Sequence, residues 1–136
     1  MNNWQTKTFG EIFTILNNSN YSRAETTKSG YARYIHYGDI HCKYKSWVNP
    51  LQINDFISKE QLKKFDKLKT GDLILVDASE DYDGTTKCIE LKDISDEIII
   101  SGLHTIVLRD KNNFFINGFR RFITSIPMVN KEFKKN

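Results

Sequence analysis

Several features that define large classes of protein are scarce or missing in this 136-residue chain. Its two cysteines, Cys42 and Cys88, are too few for a disulfide framework. No run approaches the roughly 20 apolar residues that a membrane-spanning helix needs. Residues 1–4 lack the basic and then apolar pattern of a secretory signal. We therefore expect a soluble, cytoplasmic, single-domain protein that has no membrane partner.

The strongest nucleotide and metal motifs are also missing. The sequence contains no GxGxxG, no GxxxxGK[ST], no CxxC pair and no HExxH. A looser group of possible zinc ligands is formed by His36, Asp39, His41 and Cys42, with Cys88 and His104 far along the chain. Their spacing matches no standard zinc site. The sequence thus predicts neither a metal nor a cofactor.

Charge is unevenly distributed along the chain, although the net charge is only +3. Residues 77–97 are strongly acidic, whereas residues 1–47 and 98–136 are basic. Two basic segments around an acidic one can fold into a molecule that has one positive face. The alternative is charge scattered over the whole surface.

Aromatic residues divide by type. Five of the six tyrosines lie within residues 21–44, among arginines, lysines and histidines, whereas phenylalanines concentrate at positions 114, 115, 119 and 122. Tyrosine suits interfaces because it carries a polar group, whereas phenylalanine prefers burial. The pattern predicts a functional surface in the first third of the chain and core near the C-terminus.

Hydrophobic periodicity predicts a mixture of helices and strands. Residues 8–16 fit a short amphipathic helix, with a strand as the alternative, and residues 17–30 fit a loop. Residues 31–37 fit a strand, followed by a helical turn that Asp39 caps and that runs through Lys43. Ser58 and Gln61 form a capping pair for a helix over residues 57–69.

The second half of the chain is predicted to contain most of the strands. The apolar run at residues 73–76 fits a strand buried on both faces. An acidic loop is predicted over residues 77–86. Two further segments, residues 86–92 and 97–109, fit strands, and Gly102 is expected to divide the second segment. Residues 114–123 have helical apolar spacing. These elements predict one α/β domain.

One candidate site has the residues of a magnesium-dependent nuclease. Asp77 or Asp83 at a strand end, followed by Glu90 and Lys92 on the next strand, resembles that arrangement. Two carboxylates would hold the ion and the lysine would orient the attacking water. The alternative is that Glu90 and Lys92 are ordinary charged residues of a half-exposed strand.

A second candidate site is the basic and aromatic cluster within residues 21–47. Lysine and arginine neutralise phosphates, and polar side chains read base edges in the grooves of DNA. One alternative is a tyrosine-rich strand that packs on the core beneath ordinary surface lysines. Another is a tyrosine-rich surface that binds a protein partner.

Five segments, in this order and at this spacing, resemble one known family. With Trp4 and the FGEI sequence at residues 9–12, they are YGDIH at 37–41, KTGDLIL at 69–75, DASEDY at 77–82, GTTKCIEL at 84–91 and GLHTIVLR at 102–109. Together they resemble a target recognition domain of a type I restriction-modification specificity subunit, over nearly the whole of residues 1–136.

The resemblance implies a fold and a non-catalytic function. The expected fold is α/β of the α+β type: a strongly twisted, mostly antiparallel sheet flanked by a few helices. Such domains read one half of a split double-stranded DNA target through the major groove. Methyltransferase subunits, which use S-adenosylmethionine, and restriction subunits, which use ATP, perform the chemistry. The helical spacer and second recognition domain of the family are absent here, so we expect an excised domain or a fragment.

The resemblance and the basic cluster together give the expected DNA-binding residues. The loop over residues 17–30, the first loop, matches no shared motif and is expected to be the variable loop that reads the DNA, together with neighbouring basic and aromatic residues. A second set of DNA-binding residues is expected in and next to the acidic loop over residues 77–86. The expected DNA-binding residues are Ser22, Arg23, Thr26, Thr27, Lys28, Tyr31, Arg33, Lys43, Lys45, Tyr82, Thr85, Thr86 and Lys87. His104 is expected to be a hydrogen-bonded structural residue.

Overall fold

Eight short strands in two sheets make up most of the fold in the computed structural model, which describes residues 7–77 and 87–125. The first sheet has the order β1-β8-β5-β6-β3 and the second has the order β4-β2-β7. The strands are β1 Phe13–Leu16, β2 Ala32–Ile35, β3 Trp47–Val48, β4 Phe56–Ile57, β5 Leu73–Val76, β6 Cys88–Leu91, β7 Ile99–Ser101 and β8 Thr105–Asp110.

Short helices connect the strands. The α-helices are α1 Phe9–Ile12, α2 Tyr37–Cys42 and α3 Lys59–Leu62, and 3-10 turns cover Arg23–Glu25, Pro50–Gln52 and Arg120–Ser125. Every helix in the described part of the chain is too short to cross a bilayer.

The strand pairing confirms the predicted α+β class. Strand β5 pairs antiparallel with both β6 and β8, β8 pairs antiparallel with β1, and β2 pairs antiparallel with β4. The pairs β3–β6 and β2–β7 are parallel. Most pairs are therefore antiparallel, as expected, but the strands form two mixed sheets where one sheet was expected.

Strand β5 is the centre of the core. Its side chains alternate between two apolar clusters, with Leu73 and Leu75 in one and Ile74 and Val76 in the other. The second of these clusters also contains residues of the other sheet, such as Ile35 of β2. Burial on both faces was predicted from the continuous apolar run, and it is confirmed.

The predicted helices are shorter than the periodicity suggested. Residues 8–16 divide into α1 and β1, so both alternatives hold for part of the segment. Ser58 caps α3 together with Gln61, as predicted, but the helix ends at Leu62 because Lys63 adopts a φ of 46°. Helix α2 begins at Tyr37, so Asp39 lies in its first turn and is not its cap.

The helix predicted over residues 114–123 is wrong for its first half. Asp110 accepts the N–H groups of Phe114 and Phe115, and Glu90 accepts those of Gly118 and Arg121. Glu90 thus takes two N–H groups that a helix would use internally, and Gly118 adopts a φ of 92°, which is not helical. A 3-10 turn forms only at Arg120–Ser125.

The predicted core of phenylalanines near the C-terminus is wrong, and one of the five predicted surface tyrosines lies in the core. Tyr34 is completely buried, whereas Phe114, Phe119 and Phe122 are each more than 40% exposed. Tyr34 tolerates burial because its hydroxyl donates to the carbonyl of Tyr21 at 2.7 Å. Aromatic type therefore did not indicate location in this chain.

Candidate nucleic-acid interface

Strand directions bring several loops to one end of the molecule. Strand β5 ends at Val76, directly opposite the first residue of β8, Thr105. Strands β2 and β7 run parallel and end side by side at Ile35 and Ser101. We call the end formed by residues 17–28, 36–45, 55, 77, 87 and 102–104 the loop end.

Hydrogen bonds join these loops to one another. The side-chain nitrogen of Asn18 donates to the carbonyls of Gly102 and Thr105 at 2.8 and 2.9 Å. The backbone N–H of Asp77 donates to the carbonyl of His104 at 2.8 Å, and that of Val76 donates to Lys87 at 3.1 Å. Asp77 is therefore bonded directly to the turn at residues 102–104, and Lys87 is bonded to the residue that precedes Asp77.

The turn at residues 102–104 confirms the predicted break at Gly102. A Cβ at this position would lie 2.6 Å from the ring of Tyr34, so only glycine fits. The chain then reverses through His104, whose φ is 61°. A positive φ is uncommon for a residue other than glycine, and the turn is therefore strained.

The first predicted DNA loop is well ordered by local contacts. Ser22 and Glu25 form a capping box around the 3-10 turn. Thr26 donates to the carbonyl of Arg23 at 2.7 Å, and Thr27 forms a β-bridge with Phe56. These contacts place the loop along β4 and leave Ser22, Arg23, Thr27 and Lys28 exposed.

Asp55 is the ionic centre of the loop end. This buried carboxylate accepts hydrogen bonds from Lys28 Nζ at 2.8 Å and from Arg23 Nη1 at 3.0 Å, and His36 Nε2 lies 3.6 Å away. The other terminal nitrogen of Arg23 lies 2.9 Å from Asp39 Oδ1. The two cations remain accessible, since the Lys28 side chain is 82% exposed and that of Arg23 is 53% exposed.

Burial and charge set the protonation states of this cluster. Burial alone would raise the pKa of Asp55, but the hydrogen bond and charge of Lys28, with His36 and Arg23, outweigh it and hold the pKa below its ordinary value. Burial, helped by the charge of Arg23, lowers the pKa of His36. Near neutral pH the cluster therefore contains an ionised Asp55 and an uncharged His36.

The remaining predicted residues divide into three groups. Lys43 and Lys45 are exposed between α2 and β3, and Lys87 precedes β6, so these lysines belong to the loop end. Tyr31 and Arg33 lie at the beginning of β2, away from the turn at 102–104. Tyr82, Thr85 and Thr86 lie outside the described residues.

Arg33 has structural contacts. Its guanidinium donates to the carbonyl of Ile53 at 2.7 Å and to Glu97 at 3.2 Å, and it stacks over the ring of Phe56 at 4.9 Å. Its side chain is 14% exposed. These contacts favour a role in holding β2 and its neighbours together.

A cleft of about 290 Å³ opens at the loop end. Its walls are Tyr21, Ser22, Arg23, His36, Tyr37, Gly38, Leu103 and His104. The rings of Tyr37 and His104 meet edge to face, with their centroids 5.1 Å apart. The first loop, the start of α2 and the turn after β7 thus each contribute to one concave surface.

The residues of the nuclease alternative have other contacts. Glu90 is completely buried, and its two oxygens accept the N–H groups of Gly118 at 2.6 Å and Arg121 at 2.8 Å. Lys92 Nζ lies 4.5 Å above the ring of Trp47. Asp77 follows β5, and Asp83 lies outside the described residues. This geometry does not favour metal binding by Glu90, which stabilises the segment around residue 118.

The loose set of possible zinc ligands does not assemble. Within residues 7–77 and 87–125, no three side chains of histidine, cysteine, aspartate or glutamate are grouped so that they could hold a metal ion. Cys88 instead contacts the carbonyl of Arg121 at 3.3 Å.

A buried ionic network at the opposite end of the molecule has no signal in the sequence. Arg120 is 2% exposed, and its Nε lies 3.0 Å from Asp110 while its Nη1 lies 3.7 Å from Glu90. The three residues are distant in sequence and fit no periodic pattern. A sequence does not show whether an arginine is buried or exposed. Arg120 precedes Arg121, so the pair resembles an ordinary basic surface segment.

Comparison with known proteins gives no family for the chain: no family model matches it, and no curated protein matches it at a significant level. The function is therefore inferred from the residues and geometry described above.

Proposed function

We propose that this domain binds double-stranded DNA through the loop end and reads one half of a split target sequence. It is a specificity component of a type I restriction-modification complex. In this role it has no catalytic residues of its own. The methyltransferase and restriction subunits of the complex perform the chemistry on the DNA that the domain selects.

The observation that carries the proposal is the proximity of the first loop and Lys87. The sequence separates them by about 60 residues. Asn18, which precedes the first loop, nevertheless bonds to the turn at 102–104, and Lys87 bonds to Val76, whose neighbour Asp77 bonds to His104 of the same turn. Reading loops on a rigid scaffold are a common arrangement for recognition surfaces.

The chemistry of the loop end suits a DNA backbone and base edges. Arg23, Lys28, Lys43, Lys45 and Lys87 supply positive charge for phosphates. Ser22, Thr26 and Thr27 supply the short polar side chains that contact base edges or phosphates. Asp55 holds Arg23 and Lys28 in place before DNA arrives, which reduces the entropy lost on binding.

Salt dependence of DNA binding tests this proposal. We expect the affinity of the chain for a mixed-sequence duplex to fall steeply as salt rises, because phosphate contacts release counterions. Replacing Lys28 by alanine should weaken binding and lower the slope of log affinity against log salt by about 1. Fluorescence anisotropy titrations at several salt concentrations measure both quantities.

Lys69 provides the matched control. It is an exposed lysine that precedes β5 and therefore lies at the opposite end of the molecule. Lys69→Ala removes the same charge and should leave the slope unchanged. Equal effects of the two substitutions, or binding that salt does not weaken, would contradict the proposed interface.

A further inference from the structure

The loop-end cleft has the dimensions of a site for one small ring system. Its volume of about 290 Å³ lies just below the range of ordinary small-molecule pockets, which begins at about 300 Å³. It is large enough to be specific and too small for a whole nucleotide cofactor. A ligand that fits would be compact and flat, given the rings that form the walls.

Aromatic rings and hydrogen-bonding groups alternate around the cleft. Tyr21, Tyr37 and His104 contribute rings, whereas Arg23 contributes a guanidinium whose terminal nitrogens contact Asp39 and Asp55. Unstacked nucleobases are bound in this way in proteins that recognise them, by stacking on rings or guanidinium planes and by hydrogen bonds to the base edges. The mostly uncharged His36 is suited to neutral hydrogen bonding.

One residue of the cleft has a positive φ, a feature that it shares with Lys63, Asp93, Ser95 and Asn113 elsewhere in the described residues. His104 holds its ring against Tyr37 at a positive φ that glycine would adopt more readily. The turn is held by Thr105 Oγ1, which contacts the carbonyl of Gly102 at 2.6 Å. Strained residues of this kind cluster at ligand sites, where the surrounding structure fixes them.

Two other clefts among the described residues lack this chemistry. The cleft around Asp93, Asp96 and Glu97 is acidic and would repel phosphates. Among the described residues, the walls of the cleft around Arg109 and Arg120 contain no aromatic side chain. The loop-end cleft combines aromatic rings with a guanidinium.

We propose that this cleft receives a single base of the bound DNA, unstacked from the duplex and held against Tyr37, His104 and Arg23. The proposal rests on the proposed function and extends it. One position of the target is read as an extrahelical base, whereas the neighbouring positions are read within the groove. The chain does no chemistry on this base.

A mismatch scan of the selected duplex tests the proposal. The duplex is the one that the chain enriches from a randomised pool, and each base pair is converted in turn into a mismatch by changing one strand or the other. Unpairing a mismatched base costs less energy, so at one position a mismatch should tighten binding by roughly tenfold. Anisotropy titrations give the ratio of the affinity for each mismatched duplex to the affinity for the fully paired duplex.

Substitutions in the cleft identify the cause of such a gain. Tyr37→Ala should abolish the preference for the mismatched duplex, and Tyr37→Phe should retain it because the ring is kept. His104→Gly should also abolish it while preserving the turn, since glycine adopts the positive φ without strain. The melting temperature of His104→Gly should stay close to that of the unsubstituted chain, which shows that its fold is intact.

Each result supports or overturns the proposal. A gain that disappears in Tyr37→Ala and His104→Gly supports it. Absence of any mismatch that tightens binding overturns it, as does a gain that persists in both variants, which would indicate easier bending of the DNA. In those cases the enriched, salt-sensitive duplex remains, and the proposed function stands. Failure to enrich any duplex overturns both.

Discussion

Replacing Glu90 by alanine is expected to lower the free energy of unfolding by about 3–5 kcal/mol, the cost of breaking a buried ion pair by removing one partner. The side chain is fully buried and holds the N–H groups of Gly118 and Arg121. Its removal would leave both donors without this acceptor. It would also remove one of the two carboxylates that compensate the buried charge of Arg120.

Chemical denaturation measures this effect, and two further variants calibrate it. Glu90→Gln keeps one carbonyl acceptor but loses the negative charge, so we expect a smaller loss than with alanine. Glu60→Ala removes an exposed carboxylate in the first turn of α3 and should change stability little.

The same variants separate the structural role of Glu90 from the nuclease alternative. A metal-binding Glu90 would leave stability nearly unchanged on substitution, and magnesium-dependent cleavage of plasmid DNA would disappear. The buried network predicts the opposite: a large loss of stability and no cleavage by the unsubstituted chain. A stable Glu90→Ala protein that has lost a nuclease activity would contradict our interpretation.

Replacing Asp55 by alanine is expected to lower the free energy of unfolding by about 2–3 kcal/mol. The effect should be smaller than at Glu90, because Arg23 and Lys28 are partly exposed and water can solvate them once the carboxylate is gone. Denaturation of Asp55→Ala and Asp55→Asn at neutral pH measures the loss.

Low pH should remove the contribution of the Asp55 carboxylate to the stability of the fold. The folded-state pKa of Asp55 is below its ordinary value of 3.8, so the ionised group stabilises the fold above that value. The stability is lost as pH falls through the folded-state pKa. The difference in the free energy of unfolding between the unsubstituted chain and Asp55→Asn should therefore become smaller in acid. A difference that stays constant or grows as the pH falls would show that the charge of Asp55 does not stabilise the fold.

Asp55→Asn should strengthen non-specific DNA binding, although it weakens the fold. Loss of the carboxylate removes a negative charge from the interface. Non-specific contacts with phosphates do not require Arg23 and Lys28 to be held in one geometry, so the non-specific affinity at low salt should rise. Asp96→Asn is the matched control, because it removes an exposed carboxylate from the acidic cleft at the other side of the fold. Equal gains in DNA affinity in the two variants would indicate that the change in net charge alone causes the gain.

Local signals predicted those parts of the fold that depend on neighbouring residues. The run at residues 73–76 identified β5, the Ser58–Gln61 pair identified the start of α3, and Gly102 identified the break between β7 and β8. Each depends on burial, a cap or a turn within a few residues. The spacing of apolar residues was less reliable where a positive φ, as at Lys63, ended a helix early.

Contacts between distant segments could not be predicted in this way. The carboxylate of Glu90 binds N–H groups of Gly118 and Arg121 that the predicted helix would have used internally, and Gly118 has a non-helical φ of 92°. The cluster around Asp55 likewise joins residues from the first loop, from the end of β2 and from the position before β4. The sequence indicated Arg23 and Lys28 as DNA ligands but gave no sign of the carboxylate that holds them.

Selection from a randomised duplex pool is the measurement that tests the central claim most directly. The chain is incubated with the pool at low salt, and bound duplexes are recovered, amplified and sequenced over several rounds. We predict enrichment of one short, contiguous sequence, as expected for a reader of one half-site. Recovery of duplexes with no shared sequence, at every salt concentration tried, would contradict sequence-specific recognition by the loop end.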